Sequence, residues 1–373
     1  MSGGLRGLLV RCFAHYRQHH RLDFQRIRVL DRIRRCRTPA LGGQRMHCDR
    51  CGAEPVRYHS CRDRHCPRCQ GQARRQWTER QRANLLAVAY YHLVFTLPSL
   101  LNPWAELHPQ VLYRLLFKSV WAVLDDFGQD PKRLGGQLGM TAVLHTWGQT
   151  LVRHLHLHCL IPGGVWTAQG HWKAARSYYL FPVRALSRKF RGRMLAELRQ
   201  ARRNGELDRI TRPGEFERVL QALSQRRWVV YAKPCLNYRE TVLNYLARYS
   251  HRIALSDQRL IDGADARVGL RYKDYADHER RKVMWLDPEE LIRRFLLHIL
   301  PPGFMRIRHY GFLANRCRAK RLAAIRGDLE TPPPAPEPAS EPDHQAFEYP
   351  CPECHRGRLH VIEEFPPQRL EGA

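Results

Sequence analysis

Apolar residues recur at helical spacing at the start of the chain and between 104 and 127, and at every second position over much of 138–172. Over residues 1–37, Leu8, Leu9, Val10, Phe13, Tyr16, Leu22, Phe24, Ile27, Val29 and Leu30 interleave with ten arginines and two aspartates, which predicts one or two basic amphipathic helices. HLVFTLP (92–98) predicts a strand closed by Pro98, and Trp104 to Phe127 predicts a helix. LGMTAVLHTWG, LHLHCLIP and the stretch Val165 to Trp172, which follows the turn signal Pro162-Gly163-Gly164, predict consecutive antiparallel strands.

Further on, residues 183–227 are basic and mostly helical in pattern, WVVYAKP (228–234) is extended, and Arg239 to Ser250 predicts a helix. IALSDQRLI, ARVGLRYKD and KVMWL predict a meander with a turn at Asp262-Gly263-Ala264-Asp265. Asp287-Pro288-Glu289-Glu290 reads as a cap, a first-turn proline and acids at the positive end of a helix that reaches about Leu300. TPPPAPEPASEPDHQ (331–345) has almost no aliphatic content, so a disordered or semi-rigid linker is expected.

At 373 residues with 43% hydrophobic content, the chain can bury a sizeable core. Charge narrows the class: Lys+Arg number 63 against Asp+Glu 35, a net +28 that calls for a polyanion, with nucleic acid the leading partner. Spanning a membrane takes ~20 apolar residues. The best run, Leu85 to Phe95, is shorter and contains His92. The opening MSGGLRGLLVRCF carries arginines within its apolar stretch and does not read as a secretory signal, so a cytoplasmic protein is expected. Its twelve cysteines are then not expected to pair as disulfides.

CDRC (48–51) and CPRC (66–69) lie fourteen residues apart in a segment too poor in aliphatics to make a core of its own. Four thiolates meet the tetrahedral demand of Zn²⁺ with no position left for substrate, so Cys48, Cys51, Cys66 and Cys69 are expected to form a structural zinc site. Cys61, His59 and His65 either replace one ligand or neighbour the site. The arginines around it, Arg62, Arg64 and Arg68 among them, suit DNA phosphates. Cys351 and Cys354 in CPECH, with His355 and His360 nearby, are either half a zinc site or a tail with free thiols.

RHLHLHCLI (153–161) sets His154, His156 and His158 on one face of a strand. Imidazoles at alternate positions can share a divalent ion, whereas three unpartnered ones on a buried face would be costly. NYRETVLNYLARYSHR (237–252) carries Tyr238, Tyr245 and Tyr249 beside Arg248 and Arg252. Such tyrosines are either core and interface aromatics or phenol nucleophiles next to phosphate-binding arginines.

Taken in order, the cysteine segment ending SCRDRHCPRCQ, then HLVFTLP, HLHLHCLIPGG, FPVRALSRKFRG, YLARYSHRIALS and FMRIRHYGFLANRCR, closely resemble the insertion-sequence-91 family of HUH transposases over roughly residues 48–326. The resemblance implies an α+β fold, a central antiparallel sheet with flanking helices of HUH-nuclease type, preceded by a small zinc ribbon. It implies a rolling-circle-like DNA strand transferase acting on single-stranded DNA at the bacterial nucleoid. His156 and His158 would hold catalytic Mg²⁺ or Mn²⁺, with His154 a neighbour, and Glu240, Asn244 and His251 are candidates for a third ligand. Tyr245 and Tyr249 would form 5′-phosphotyrosine links, with Arg248 and Arg252 on the DNA. The expected division is a basic helical N-terminus (1–37), a zinc ribbon (38–80), a catalytic domain (81–328), a linker (329–347) and a small cysteine-containing tail (348–373). A replication initiator or relaxase would share this chemistry, and a non-catalytic zinc-dependent nucleic-acid binder would instead use the histidines as a second structural site.

Overall fold

A computed structural model describes residues 4–175, 180–236, 241–242, 254–263, 266–331 and 349–368. The chain divides into two compact units, one made of 1–73, 255–299 and 335–373, the other of 74–254 and 300–334. Both are mixed α and β, and among the described residues every strand pairing is antiparallel.

In the first unit, helices Leu5–His19 and Phe24–Arg35 follow the predicted basic amphipathic pattern, burying Leu5, Leu8, Leu9 and Phe13 from one and Val29, Leu30 and Ile33 from the other. Asp23 caps the second helix by accepting from the Arg26 N–H at 2.8 Å. Strands β1 (Gly43–Cys48) and β2 (Val56–Tyr58) pair, and the chain's tail returns as β13 (Tyr349–Pro350) and β14 (Arg358–Phe365), giving a sheet of order β13-β14-β1-β2.

The predicted meander forms as β9 (Leu260–Asp262), β10 (Val268–Asp274) and β11 (Arg280–Leu286), followed by helix Pro288–Leu296. It groups with the N-terminal helices, not with the segment 81–254 that precedes it, so the expected boundary of one domain over 81–328 does not hold in the compact units. Charge explains the company it keeps. Asp257 accepts from the Leu5 N–H at 2.9 Å, Arg11 meets Asp262 at 3.1 Å, and His15 and His20 flank Glu289 at 2.9 and 3.1 Å. The acids of this segment thus sit on part of the basic N-terminus.

The second unit holds β3 (Tyr90–Thr96), β4 (Gly139–Trp147), β5 (Arg153–Pro162), β8 (Val230–Leu236) and β12 (Ile307–Gly311) in the order β12-β4-β5-β3-β8, with the small hairpin β6 (Gly164–Trp166) and β7 (Trp172–Ala174) beside them. Helices Pro109–Gln129 and Val183–Arg203 cover one face. Leu112, Leu116, Val120, Val123 and Leu124 repeat at helical spacing on the first, and Leu186, Phe190, Met194 and Leu198 on the second. They pack on Leu93, Phe95, Ala142, Leu144, Leu155, Leu157, Cys159 and Ile161 in one core. Phe190 meets Phe95 and Trp228 edge-on, each at 5.2 Å. Each such side chain, fully buried, contributes about 1.5–3 kcal/mol of transfer free energy. The sheet's other face carries the histidines of β3, β4 and β5 beside a small apolar cluster.

Candidate metal centre and cysteine clusters

Because β5 sends Leu155, Leu157, Cys159 and Ile161 into the core, strand alternation turns His154, His156 and His158 to the opposite face. His145 of β4 is the register partner of His156. Nitrogens of His145, His156 and His158 lie within 4.8 Å of one another, close enough for small adjustments to bring them onto one ion. Their rings crowd at centroid distances of 4.5 Å for His145 to His158, 5.3 Å for His145 to His156 and 4.9 Å for His156 to His158. Three imidazole nitrogens form a donor set that could hold a divalent ion and leaves positions for other ligands.

Hydrogen bonds orient the rings. His156 donates Nδ1–H to the His154 carbonyl at 2.9 Å, which leaves Nε2 as its ligand atom. His158 Nδ1 lies 2.9 Å from Nε2 of His92, which comes from β3 and is stacked on it at 5.2 Å. Burial, with the charges of Lys233 and His156, pushes His92 down to about 3, so it is neutral at physiological pH. For His158 to offer Nε2 to a metal it must carry its proton on Nδ1 and donate it to His92. Trp147 stacks on His145 at 4.5 Å, and the strand register slips between the His145–His156 and Trp147–Arg153 pairs. Such a bulge re-aims side chains beside a site.

His154 is exposed and outside the trio, to which it contributes its carbonyl. Two residues were missed as site residues, His145 and His92. Both stand in strands that the pattern did predict, LGMTAVLHTWG and HLVFTLP, and only the strand order shows that these flank β5. The candidates Glu240, Asn244 and His251, both nucleophile candidates Tyr245 and Tyr249, and Arg248 and Arg252 lie outside the described residues. At the edge of that segment Thr241 and Val242 are helical, and Val242 is buried against Leu85, Tyr90 and Leu160. Leu160 and Tyr90 share the parity of His158 and His92, so Val242 packs on the histidine face.

The two CxxC pairs do not converge. Cys66 and Cys69 join Cys36 and Cys61, while Cys48 and Cys51 join Cys351 and Cys354. The expected set of Cys48, Cys51, Cys66 and Cys69 is therefore split, each pair completed by cysteines further off in sequence. In the first cluster Cys36 and Cys61 lie 3.6 Å from Cys69 by sulfur. Thiolates held tetrahedrally at ~2.3 Å from Zn²⁺ are about 3.8 Å apart, so the spacing fits. Hydrogen bonds from the Cys61 and Cys66 thiols pull the Cys36 thiol below its ordinary value. Of the alternatives, Cys61 is in the cluster; His65 instead donates to the buried Asp63 at 2.9 Å, and Arg32 approaches that carboxylate at 3.8 Å. His59 bonds through its carbonyl to the Arg37 N–H at 3.0 Å.

Arg62 is exposed, Arg64 is half-buried, and Arg68 is paired with Asp257 at 3.5 Å. Arg62 is thus the best placed of the three to meet an external phosphate. No helix among the described residues is long and apolar enough to cross a membrane.

Residues 139–321 match a family described as "Putative transposase", and residues 8–97 one described as "Transposase zinc-binding domain". The chain is 44% identical over 368 residues to "Putative transposase y4qJ" of Sinorhizobium fredii (strain NBRC 101917 / NGR234), a match covering 94% of this chain and 92% of that one. It is 30% identical over 337 residues to "Transposase for insertion sequence element IS801" of Pseudomonas savastanoi pv. phaseolicola, covering 88% and 80% respectively. No solved structure matches. These findings define the class as transposase. The chain belongs to the insertion-sequence-91 family of transposases with an N-terminal zinc-binding domain.

Proposed function

We propose that this transposase cuts and rejoins single-stranded DNA by the HUH route, with His145, His156 and His158 holding Mg²⁺ or Mn²⁺ and Tyr245 and Tyr249 as nucleophiles. The observation that carries the reading is the shared face: three imidazoles converge on one side of an antiparallel sheet, and Val242 packs on that side. At 3.6 residues per turn, positions 242, 245 and 249 fall on one side of a helix, so the sequence spacing would present both phenols to the surface that Val242 covers. The five-stranded sheet, with helices on the opposite face, is the arrangement expected of an HUH nuclease.

In the proposed step the phenol oxygen of Tyr245 bonds to a backbone phosphorus and the bond to the 3′ oxygen breaks. The phenol proton goes to that oxygen through solvent or a nearby base, leaving a 5′-phosphotyrosine and a free 3′-OH. One ester replaces another, so a second exchange at Tyr249 can pass the strand on without ATP, as a rolling-circle-like route requires. A bound divalent ion would supply polarisation of the phosphoryl oxygen. The chain's own contribution is orientation: His92 and the His154 carbonyl fix the His158 and His156 rings, and basic side chains such as Lys233, exposed on β8, attract the phosphate backbone.

Single-stranded oligonucleotides carrying an end of the element, incubated with the purified protein and Mn²⁺, should give an adduct that survives denaturing gels. The adduct should vanish in the Tyr245→Phe, Tyr249→Phe double variant. An adduct that persists there, or none with the unaltered protein, overturns the reading.

A further inference from the structure

We infer that Cys48, Cys51, Cys351 and Cys354 bind a second structural Zn²⁺, so that the C-terminal tail is an integral part of the zinc-binding domain. The family match for that domain ends at residue 97, some 250 residues before β13 begins at Tyr349. Geometry brings the two together. Cys48 lies 3.8 Å from Cys354 and Cys51 lies 3.7 Å from Cys351 by sulfur, and the four ligand atoms fall within 4.8 Å of one another. These separations match the roughly 3.8 Å between sulfurs on a tetrahedral zinc.

The two halves are similar turns, differing by one residue in the bond that closes them. In CDRCG the Cys48 carbonyl accepts from the Gly52 N–H at 3.1 Å and the Cys48 N–H donates to the Ala53 carbonyl at 2.9 Å. In CPECHRG the Cys351 carbonyl accepts from the His355 N–H at 3.0 Å and the Cys351 N–H donates to the Gly357 carbonyl at 2.9 Å. The residue after the second cysteine is left-handed in both, Gly52 at φ 73° and His355 at φ 56°. A histidine tolerates that conformation less readily than glycine, so something must hold the tail's turn in it. A backbone N–H also points at sulfur, from Gly357 to Cys354 at 3.3 Å. Each turn aims two sulfurs at a common centre from opposite sides.

Around them the packing is too small to stand alone. The apolar cluster is Met46, Cys48, Cys351 and Leu359, with Ala53, Tyr349 and Cys354 at its edge. A sheet of short strands with such a core needs a metal. The strands pair across one register shift, with Cys48 opposite Leu359 on one side of it and Gly43 opposite Phe365 on the other, and Asp49 exchanges two hydrogen bonds with the Arg358 backbone at 2.8 and 3.1 Å. Gly357 lies so close that a β-carbon there would run into the Cys48 sulfur.

Cobalt(II) serves as the probe, because tetrathiolate Co²⁺ has d–d bands that a histidine site does not reproduce. Titrated into the metal-free, reduced full-length protein, it should produce these bands up to two equivalents, and a plateau at one equivalent overturns the proposal. The Cys351→Ser, Cys354→Ser variant should fall to one equivalent, and one that still takes up two equally sinks it. Gly357→Ala leaves every thiol in place and should weaken the second equivalent at least tenfold while sparing the first; equal affinity for both would contradict the close approach. On the unaltered protein, protease should trim the tail to near residue 348 only after metal removal. A tail cut equally fast with metal bound would show that no ion secures it.

Discussion

His92 and His158 stack with their ring planes 11° from parallel, and a 2.9 Å hydrogen bond joins the Nε2 of the first to the Nδ1 of the second. Metal-ligating histidines depend on such a partner to fix ring and tautomer. His92→Leu should therefore lower Mn²⁺ or Co²⁺ affinity at the imidazole trio about 10–100-fold. Calorimetric titration measures it, with circular dichroism to show that the sheet persists. His92→Gln, whose amide can accept the same bond, should recover part of the loss.

The histidines of β4 and β5 on this face are not equivalent. His145→Ala should abolish adduct formation as fully as His156→Ala, because each removes one of three converging donors. His154→Ala should retain most activity, since the contribution of that residue to the trio is a main-chain carbonyl. A quantitative adduct assay ranks the three variants, and a reversed order of His145 and His154 would contradict the assigned ligand set.

Gly311 ends β12 at φ 60°, and a β-carbon on it would run into the backbone carbonyl of Leu138 and touch Trp121. Its partner Gly139 faces Phe312, whose ring lies 2.5 Å from where a β-carbon would stand. Gly311→Ala should cost about 3 kcal/mol or more, since both backbone strain and overlap oppose it. Urea unfolding of the variant should shift to lower denaturant or show no folded baseline.

His309 on β12 bonds to Thr141 at 3.0 Å, and burial with the charge of Arg318 pushes its pKa down to about 4 from an ordinary value near 6.5. The fold therefore favours its neutral ring. Above pH 6.5 folded and unfolded chains both carry it neutral, and as pH falls from 6.5 to 4 only the unfolded chain takes up the proton, so stability drops through that window. The loss is on the order of 2 kcal/mol once partial exposure is allowed for. Denaturant midpoints measured between pH 4 and 7 should change less steeply in His309→Gln.

Strand alternation at RHLHLHCLI was legible because its intervening leucines could only face a core, and the fold has them there. The third imidazole was not, since His145 stands in another strand and period-two patterning says nothing about which strands are neighbours. The cysteines misled for a different reason. CDRC and CPRC already supply four thiols at ribbon spacing, which hides that Cys36 ends a helix, that Cys61 sits in an irregular loop, and that Cys351 arrives from the far end of the chain. Of the meander, ARVGLRYKD and KVMWL form strands, but IALSDQRLI contributes only its end to β9, because Asp257–Arg259 turns as a 3-10 helix, and its partners include acids such as Asp257 and Glu289 meeting the first helix, contacts that no local window contains.

During synthesis, β1 leaves the ribosome long before β14, the strand that borders it in the finished sheet. Until residues 358–365 emerge, the side of β1 away from β2 exposes unpaired amide and carbonyl groups, a surface that invites foreign strands. The order of translation thus leaves the first sheet of this transposase unfinished until residues 358–365 have been made.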